Sequence, residues 1–230
     1  LYVNMRDFNG LTGAKLPYDV VFLLNEYFAT VAEVIRTNGG FVENYVGDSV
    51  IAIFGSRQGP ETGCRQAMRA LRGIDLALDE LNAAVEADLG QPVRIAAGLH
   101  VGPLILGRLG YGTSVDLKAI GNTVRVAQEL SRLAKERDIQ LVLSHDVADS
   151  AGWEPPVELI SQAHVAGWDD TLEVIDIIRG RDLATSILAP GANETRRPRG
   201  NRSSSFEQNG QTTQAAEATR TVVQPEARDQ

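Results

Sequence analysis

Asp48 is the first residue whose position suggests chemistry. It follows Gly47 between two apolar runs, residues 41–46 and 49–54, where a tight hairpin turn is expected. That turn would present a single carboxylate at the tip of two paired strands. Aspartate is also a common turn former, so a purely conformational role for Asp48 stays open at this point.

Arg125 and Glu129 are a second pair of interest, because they are four residues apart in a stretch with helical periodicity. Their side chains would lie one turn apart on the same helix face and could form an ion pair. Such a pair contributes little to stability on a surface. An ordinary ion pair is therefore as consistent with the spacing as a ligand-binding role.

The histidines and the single cysteine predict no further site. His145 and His164 have no cysteine or carboxylate cluster at metal-like spacing, so no zinc site is expected. His100 follows an apolar strand and is interpreted as structural. Cys64 has no surrounding motif, and a lone cysteine excludes an internal disulfide and favours a reducing compartment.

The elements that position these residues begin with a strand and loop over residues 1–8, followed by a long helix. Pro17 suits the first turn of that helix, and Gly39-Gly40 are typical of its end. Between them apolar side chains recur every three or four residues, at Val20, Leu24, Tyr27, Phe28, Val31 and Ile35. The hairpin that carries Asp48 comes directly after this helix.

Further helices and strands follow the hairpin. We expect a helix from Pro60, strands at 94–100 and 104–107, a flexible flap at 109–115, a helix at 123–135, and strands at 139–144 and 164–178, the last after a turn at Asp169-Asp170. This order predicts an α+β domain over residues 1–178, with one antiparallel sheet and helices on one of its faces.

Composition limits the function classes. The chain has 230 residues, 43% of them hydrophobic, and a net charge of −8, which indicates a globular domain and disfavours nucleic acid as a partner. Residues 179–230 are predicted to form a disordered polar tail, because 201–230 contain almost no large apolar side chains. The basic stretch at 196–202 is interpreted as a solvated linker or tail, with a docking or lipid-headgroup patch as the alternative.

Five segments together resemble the class III nucleotide cyclases, the adenylate and guanylate cyclase catalytic domain. Residues 1–12 resemble F-x-D-I-R-G-F-T, residues 17–40 the first helix with its Gly-Gly end, and residues 44–55 the hairpin K-x-x-G-D-x-x-x-x-F-G. Residues 98–102 resemble G-I-H-x-G, and residues 116–130 resemble D-Y-T-x-I-G-D-x-V-N-x-A-x-R-L. Five motifs in the right order form a far more specific signal than any one of them.

The resemblance implies a ferredoxin-like antiparallel sheet with helices and a site that binds two Mg²⁺ or Mn²⁺ ions. The family's two metal aspartates correspond to Asn4 and Asp48, so only the second is retained. A neutral amide replaces one full charge, which predicts weak Mg²⁺ or Mn²⁺ binding. Asp7 is the alternative ligand, although it falls beyond the strand. The loop at Phe8 could still cradle phosphate through backbone N–H groups, as the family loop does.

The remaining family positions are also substituted. The purine-reading lysine corresponds to Asn44 and its aspartate or threonine partner to Lys118; the ribose asparagine corresponds to Arg125 and the phosphate arginine to Glu129. The family places a cation at the last position, and such an arginine can contribute roughly 10³–10⁵ to the rate. A carboxylate there would instead repel the triphosphate. Lys118 predicts either a rearranged purine pocket with Asn44 or a lysine facing solvent or a dimer interface.

These substitutions predict a cyclase homology domain in cyclic-nucleotide signalling with impaired chemistry, which acts as a dimerising regulatory or nucleotide-binding module. The alternative is an active cyclase that converts ATP or GTP to the 3′,5′-cyclic nucleotide and pyrophosphate, through a divergent site or a heterodimer partner. A third hypothesis is an interaction module unrelated to nucleotides. By resemblance the partner is a second copy, arranged head to tail, or a related cyclase domain.

The expected location is the cytoplasm, or the cytoplasmic face of a membrane if a segment precedes Leu1. Leu1 is not a methionine and lies inside a predicted strand, so we expect a piece of a longer chain or a chain with an unusual start. No run within it reaches the roughly 18 apolar residues that a membrane-spanning helix needs.

Overall fold

The computed structural model describes residues 1–183 except 14, 112–113 and 167–170. The α-helices in this part of the chain are α1 (Phe8–Thr12), α2 (Pro17–Thr37), α3 (Pro60–Leu89), α4 (Asn122–Glu136) and α5 (His145–Ala151). The strands are β1 (Tyr2–Met5), β2 (Phe41–Val46), β3 (Ser49–Ile53), β4 (Ile95–Leu99), β5 (Ile105–Tyr111), β6 (Ser114–Ile120), β7 (Leu141–Ser144), β8 (Ile160–His164) and β9 (Thr171–Ile177). None of the described helices combines the length and apolarity that crossing a bilayer requires.

Seven strands form one sheet in the order β2-β3-β1-β4-β7-β9-β8, and β5 with β6 forms a separate two-stranded hairpin. Every neighbouring pair is antiparallel except β4 with β7, which are parallel. The α+β, ferredoxin-like sheet expected from the sequence is therefore confirmed. The parallel pair arises because α4 crosses between β4 and β7, a connection that two antiparallel neighbours would not need.

The two faces of the sheet are covered by different helices. Alternate side chains of the central strands pack against α2, α3 and α5 on one face, and the intervening ones pack against α4 on the other. The expectation that helices cover only one face is wrong. Strand β4 shows the reason, because all five of its residues are buried and both of its faces need cover.

Helix α2 follows the pattern of its sequence. Pro17 occupies its first turn, and one stripe of side chains is fully or almost fully buried, at Leu23, Tyr27, Val31 and Ile35. The helix ends before Gly39, whose φ of 83° favours glycine. The chain then enters the β2–β3 hairpin, which turns at Gly47 (φ 60°) as predicted.

Local signals misled the sequence interpretation in several places. The predicted flap at 109–115 belongs mostly to β5 and β6, which pair from Ile105↔Ile120 to Tyr111↔Ser114. The short helices α1 and α5 and strand β8 were not predicted, because each has too few residues for a periodicity to emerge. The predicted turn at 169–170 lies outside the described residues.

The packed fold continues past residue 178, where the sequence placed the end of the domain. Leu183 is completely buried, and the chain before it is held by Asp75 of α3, which is also fully buried. Asp75 accepts hydrogen bonds from Arg179 (2.7 Å), from the Arg181 guanidinium (2.5 Å) and from Gln140 (2.8 Å). This segment is therefore anchored by the charged residues at 179–182 and by the buried side chain of Leu183, which belongs to the main core.

Candidate active site

Asn4 and Asp48 lie side by side, as the sequence predicts. Strands β1 and β3 pair Asn4 with Ser49, and the Met5 N–H donates to the Asp48 carbonyl (3.2 Å). The side-chain amide Nδ2 of Asn4 donates to Asp48 Oδ1 (3.1 Å) and to Ser49 Oγ (2.8 Å). The group nearest to the Asp48 carboxylate is thus a hydrogen-bond donor, where a metal ion would need another anionic oxygen.

This donor set does not fit a two-ion centre. Among the described residues no three His, Cys, Asp or Glu side chains are grouped so that they could hold a metal ion. Asp48 supplies one carboxylate, and one of its oxygens already accepts the amide proton of Asn4. A single weakly held cation, sharing Asp48 with the phosphates of a nucleotide, is the most that these side chains support.

Asp7 and Phe8 stand at the start of α1, where the sequence predicted a loop. Asp7 adopts the left-handed conformation (φ 51°), and its carbonyl accepts the Leu11 N–H (2.9 Å). Its side chain is exposed, and its role as a replacement ligand stays a prediction. Phe8 is partly buried and packs against the main core.

Lys118 is directed toward a residue that the sequence interpretation overlooked. Its Nζ lies 3.7 Å from Oε1 of Glu43, and the same oxygen accepts the Ala119 N–H at 3.3 Å. The Glu43 side chain is only 5% exposed, against 29% for Lys118. Asn44 follows Glu43 on β2 and is partly buried. The sequence shows an acidic residue beside Asn44, but it does not show which way the Glu43 side chain points.

Arg125 and Glu129, whose spacing would allow an ion pair, do not form one in the structure. Glu129 instead accepts from Arg132 Nε at 2.9 Å, three residues further along α4, and Arg132 also contacts Glu136. Arg125 is exposed and has no ion pair within the described part of the chain. Spacings of three and four residues both bring side chains together on a helix, so the sequence alone could not choose between the two arginines.

His100 is structural, as expected. It is buried, and its Nδ1 lies 2.8 Å from Ser144 Oγ of β7. Burial lowers the pKa of His100, because the charged imidazolium would lose its hydration there. The contact with Ser144 joins the end of β4 to β7, which fits the structural role expected for His100.

Large apolar side chains are exposed on several elements of the domain. They lie at the start of α2, at the end of β2 and along the β5–β6 hairpin, and comprise Leu16, Tyr18, Val21, Phe22, Tyr45, Val46, Ile105, Leu109, Tyr111, Leu117 and Ile120. Exposed apolar groups in such numbers are typical of an interaction surface. Among the strands that the structure describes, none of the main sheet pairs with this hairpin.

Comparison with curated proteins finds similar chains among bacterial cyclases. The chain is 24% identical over 184 residues to an adenylate cyclase of Anabaena cylindrica and 24% identical over 178 residues to adenylate cyclase 1 of Rhizobium meliloti. Each match covers 77% of this chain, which spans 36% and 27% of the lengths of these two relatives.

Solved structures with the same fold are also cyclases. The chain superposes on the guanylyl cyclase Cya2 with a TM-score of 0.69 at 23% identity, covering 76% of this chain and 88% of that one. It superposes on the adenylyl cyclase CyaB from P. aeruginosa with a TM-score of 0.62 at 19% identity, covering 77% and 91%. The profile of the adenylate and guanylate cyclase catalytic domain matches residues 1–154, two thirds of the sequence. This chain belongs to the adenylate and guanylate cyclase catalytic domain family.

Proposed function

We propose that this cyclase domain has impaired chemistry and serves cyclic-nucleotide signalling as a dimerising regulatory or nucleotide-binding module. The observation that carries the proposal is the hydrogen bond from the Asn4 amide to Asp48 Oδ1. At the position where the family resemblance requires two carboxylates around metal ions, this chain has one carboxylate and a donor.

The charges on α4 support the same conclusion. Glu129 presents an anion where the family position calls for a cation, and its pairing with Arg132 leaves both side chains engaged with each other. Arg125 is exposed on the same helix and stands at the ribose position, where the family resemblance calls for a neutral amide. Phosphoryl transfer depends on neutralising negative charge, so this arrangement predicts little or no turnover.

Dimerisation is supported by the exposed apolar side chains on α2, β2 and the β5–β6 hairpin. These side chains belong to different elements. One face of a second copy, or of a related cyclase domain, could contact several of them and cover them. A related cyclase domain that supplies the base, ribose and phosphate contacts would use Asp48 of this chain, which is intact. This observation favours an active heterodimer as the second candidate function.

The proposal is tested by measuring cyclic AMP and cyclic GMP formed from ATP and GTP with excess Mn²⁺. The wild-type chain is compared with a repaired variant carrying Asn4→Asp, Asn44→Lys, Lys118→Asp, Arg125→Asn and Glu129→Arg. We expect no product from the wild type and turnover from the repaired variant. Robust product from the wild-type chain alone would overturn the proposal.

A control variant tests whether an added negative charge alone changes the activity. Asn25→Asp adds the same charge as Asn4→Asp but lies on the exposed side of α2, so it should leave the wild-type chain inactive. Adding a complete cyclase domain to the wild-type chain tests the second candidate. A gain in activity that disappears with Asp48→Asn would establish a working heterodimer.

A further inference from the structure

Residues 179–183 form a clasp across helix α3, directly after the last strand of the sheet. Strand β9 ends at Ile177, and Gly180–Asp182 make a single 3₁₀ turn. The glycine of this turn lies against the helix backbone, because a Cβ atom there would come within 2.6 Å of the Leu71 carbonyl oxygen. Leu183 then enters the main core and is completely buried. The clasp is therefore attached to α3 without adding a strand to the sheet.

Helix α3 holds the clasp through both its backbone and its side chains. Asp75 accepts the Arg181 N–H at 3.1 Å as well as the Arg181 guanidinium. Arg72, one turn earlier on α3, donates to the carbonyls of Arg181 and Leu183, the latter at 3.1 Å. Asp79, one turn later, pairs with both arginines of the clasp. Charge-assisted hydrogen bonds therefore supply most of the polar attachment.

Water would replace much of this attachment if the clasp moved away from the helix. Only Leu183 brings a large apolar side chain to α3. The Asp75 carboxylate is completely covered, whereas the side chains of Arg179 and Arg181 are 48% and 34% exposed. On opening, all three charges would gain hydration, which offsets much of the lost ion-pair energy. Detachment should therefore cost much less than unfolding the sheet, whose strand β4 is buried along its whole length.

We propose that the clasp detaches from α3 while the seven-stranded sheet stays folded, and that this opening is a conformational switch built into the domain. In the open state the Asp75 carboxylate and the apolar seat of Leu183 on α3 become accessible. The inference does not depend on nucleotide binding. It gives the domain a second state, whose population is shifted by ionic strength or by a partner that binds the uncovered surface of α3.

The test measures amide hydrogen exchange in the full chain by NMR, at increasing urea concentrations below the unfolding transition. The N–H groups of Asp182 and Leu183 donate within the clasp and report its opening, and those of Val142 and Leu143 in β7 report global unfolding. We expect the clasp amides to be protected about 100-fold less than the β7 amides. Their protection should also be nearly independent of urea, because opening the clasp exposes little surface.

The ionic strength provides a second readout on the same chain. Raising NaCl from about 20 mM to about 500 mM should speed exchange in the clasp by about threefold, since salt screens the ion pairs that hold it closed. Unchanged exchange in the clasp would contradict the ionic attachment to Asp75 and Asp79.

Two variants separate opening of the clasp from global unfolding. Arg181→Gln removes the ion pairs with Asp75 and Asp79 and should speed exchange in the clasp by about tenfold. Arg36→Gln breaks an exposed ion pair on α2 and is its matched control, with no change expected in the clasp. Ile35→Val removes a buried methylene group from α2, which is folded whether the clasp is open or closed. It should speed exchange in β7 by about fivefold and leave the clasp amides unchanged.

The urea dependence and the Ile35→Val variant decide the proposal. Equal protection and equal urea dependence in the clasp and in β7 would overturn it, because the clasp would then open only when the whole domain unfolds. Faster exchange of the clasp amides in Ile35→Val would overturn it for the same reason. Weak, urea-independent protection of the clasp that responds to Arg181→Gln but not to Ile35→Val would establish the switch.

Discussion

Asp75 and Asp48 are two carboxylates of the same domain with opposite surroundings. Asp75 is fully buried and receives hydrogen bonds from two arginines and a glutamine. Asp48 stands at the hairpin tip, where its nearest side-chain partner is the neutral amide of Asn4. A buried charge needs compensation within the fold, whereas a charge at a site can be left for a ligand to compensate. The comparison identifies Asp75 as a structural charge, whereas the proposed function makes Asp48 the residual functional one.

The largest effect should come from removing the structural charge. Asp75→Asn should lower the free energy of unfolding by about 2 to 4 kcal/mol, because Arg179 and Arg181 lose their shared counter-ion while remaining partly solvated. Denaturation in urea measures this free energy of unfolding. Asp79→Asn is the matched control, since Asp79 contacts the same arginines but is half exposed, and it should cost less than about 1 kcal/mol. Equal losses in both variants would contradict the assignment.

The same contrast predicts a dependence on pH. Burial alone would raise the pKa of Asp75, but hydrogen bonds from Arg181, Arg179 and Gln140 outweigh it and lower the pKa to about 2. A depressed pKa in the folded state stabilises the protein above the unfolded value, and this contribution is lost as the pH falls from about 4 to 2. It amounts to about 2 kcal/mol. The Tm measured from pH 7 to pH 2 should fall less steeply in Asp75→Asn than in the wild type.

A second carboxylate beside Asp48 at the hairpin tip should strengthen metal binding there. Asn4→Asp should increase the affinity for Mn²⁺ by about tenfold or more, because two anionic side chains would then face one ion. Without metal the same variant should be about 1 kcal/mol less stable, since the two carboxylates repel each other. Calorimetric titration with Mn²⁺ checks the first effect, and Asn25→Asp should show neither. An unchanged affinity for Mn²⁺ would show that Asn4 and Asp48 do not form a metal site.

The smallest effect is expected at Glu129. Glu129→Gln breaks an ion pair with Arg132 on the surface of α4 and should change the free energy of unfolding by no more than about 0.5 kcal/mol. A loss above about 1 kcal/mol in urea denaturation would show that this carboxylate has a structural role comparable to that of Asp75.

The sequence predicted the parts of the fold that local patterns govern. The apolar stripe of α2, its end near Gly39 and the turn at Gly47 were all predicted, because each depends on neighbours within a few residues. The position of Asn4 beside Asp48 was predicted from the family motifs. By contrast, the pairing of Glu129 with Arg132 required a choice between two arginines at equivalent helical distances.

The sequence by itself determined the family, the α+β class and the identities of the residues at the candidate site. Only the tertiary structure decided that Glu43 faces Lys118, because a bulge in β2 redirects a side chain that regular alternation would place elsewhere. Only the tertiary structure brought Arg179 and Arg181 to Asp75, about a hundred residues earlier in the chain. These contacts are formed by charged groups far apart in sequence, and neither periodicity nor composition encodes which of them meet.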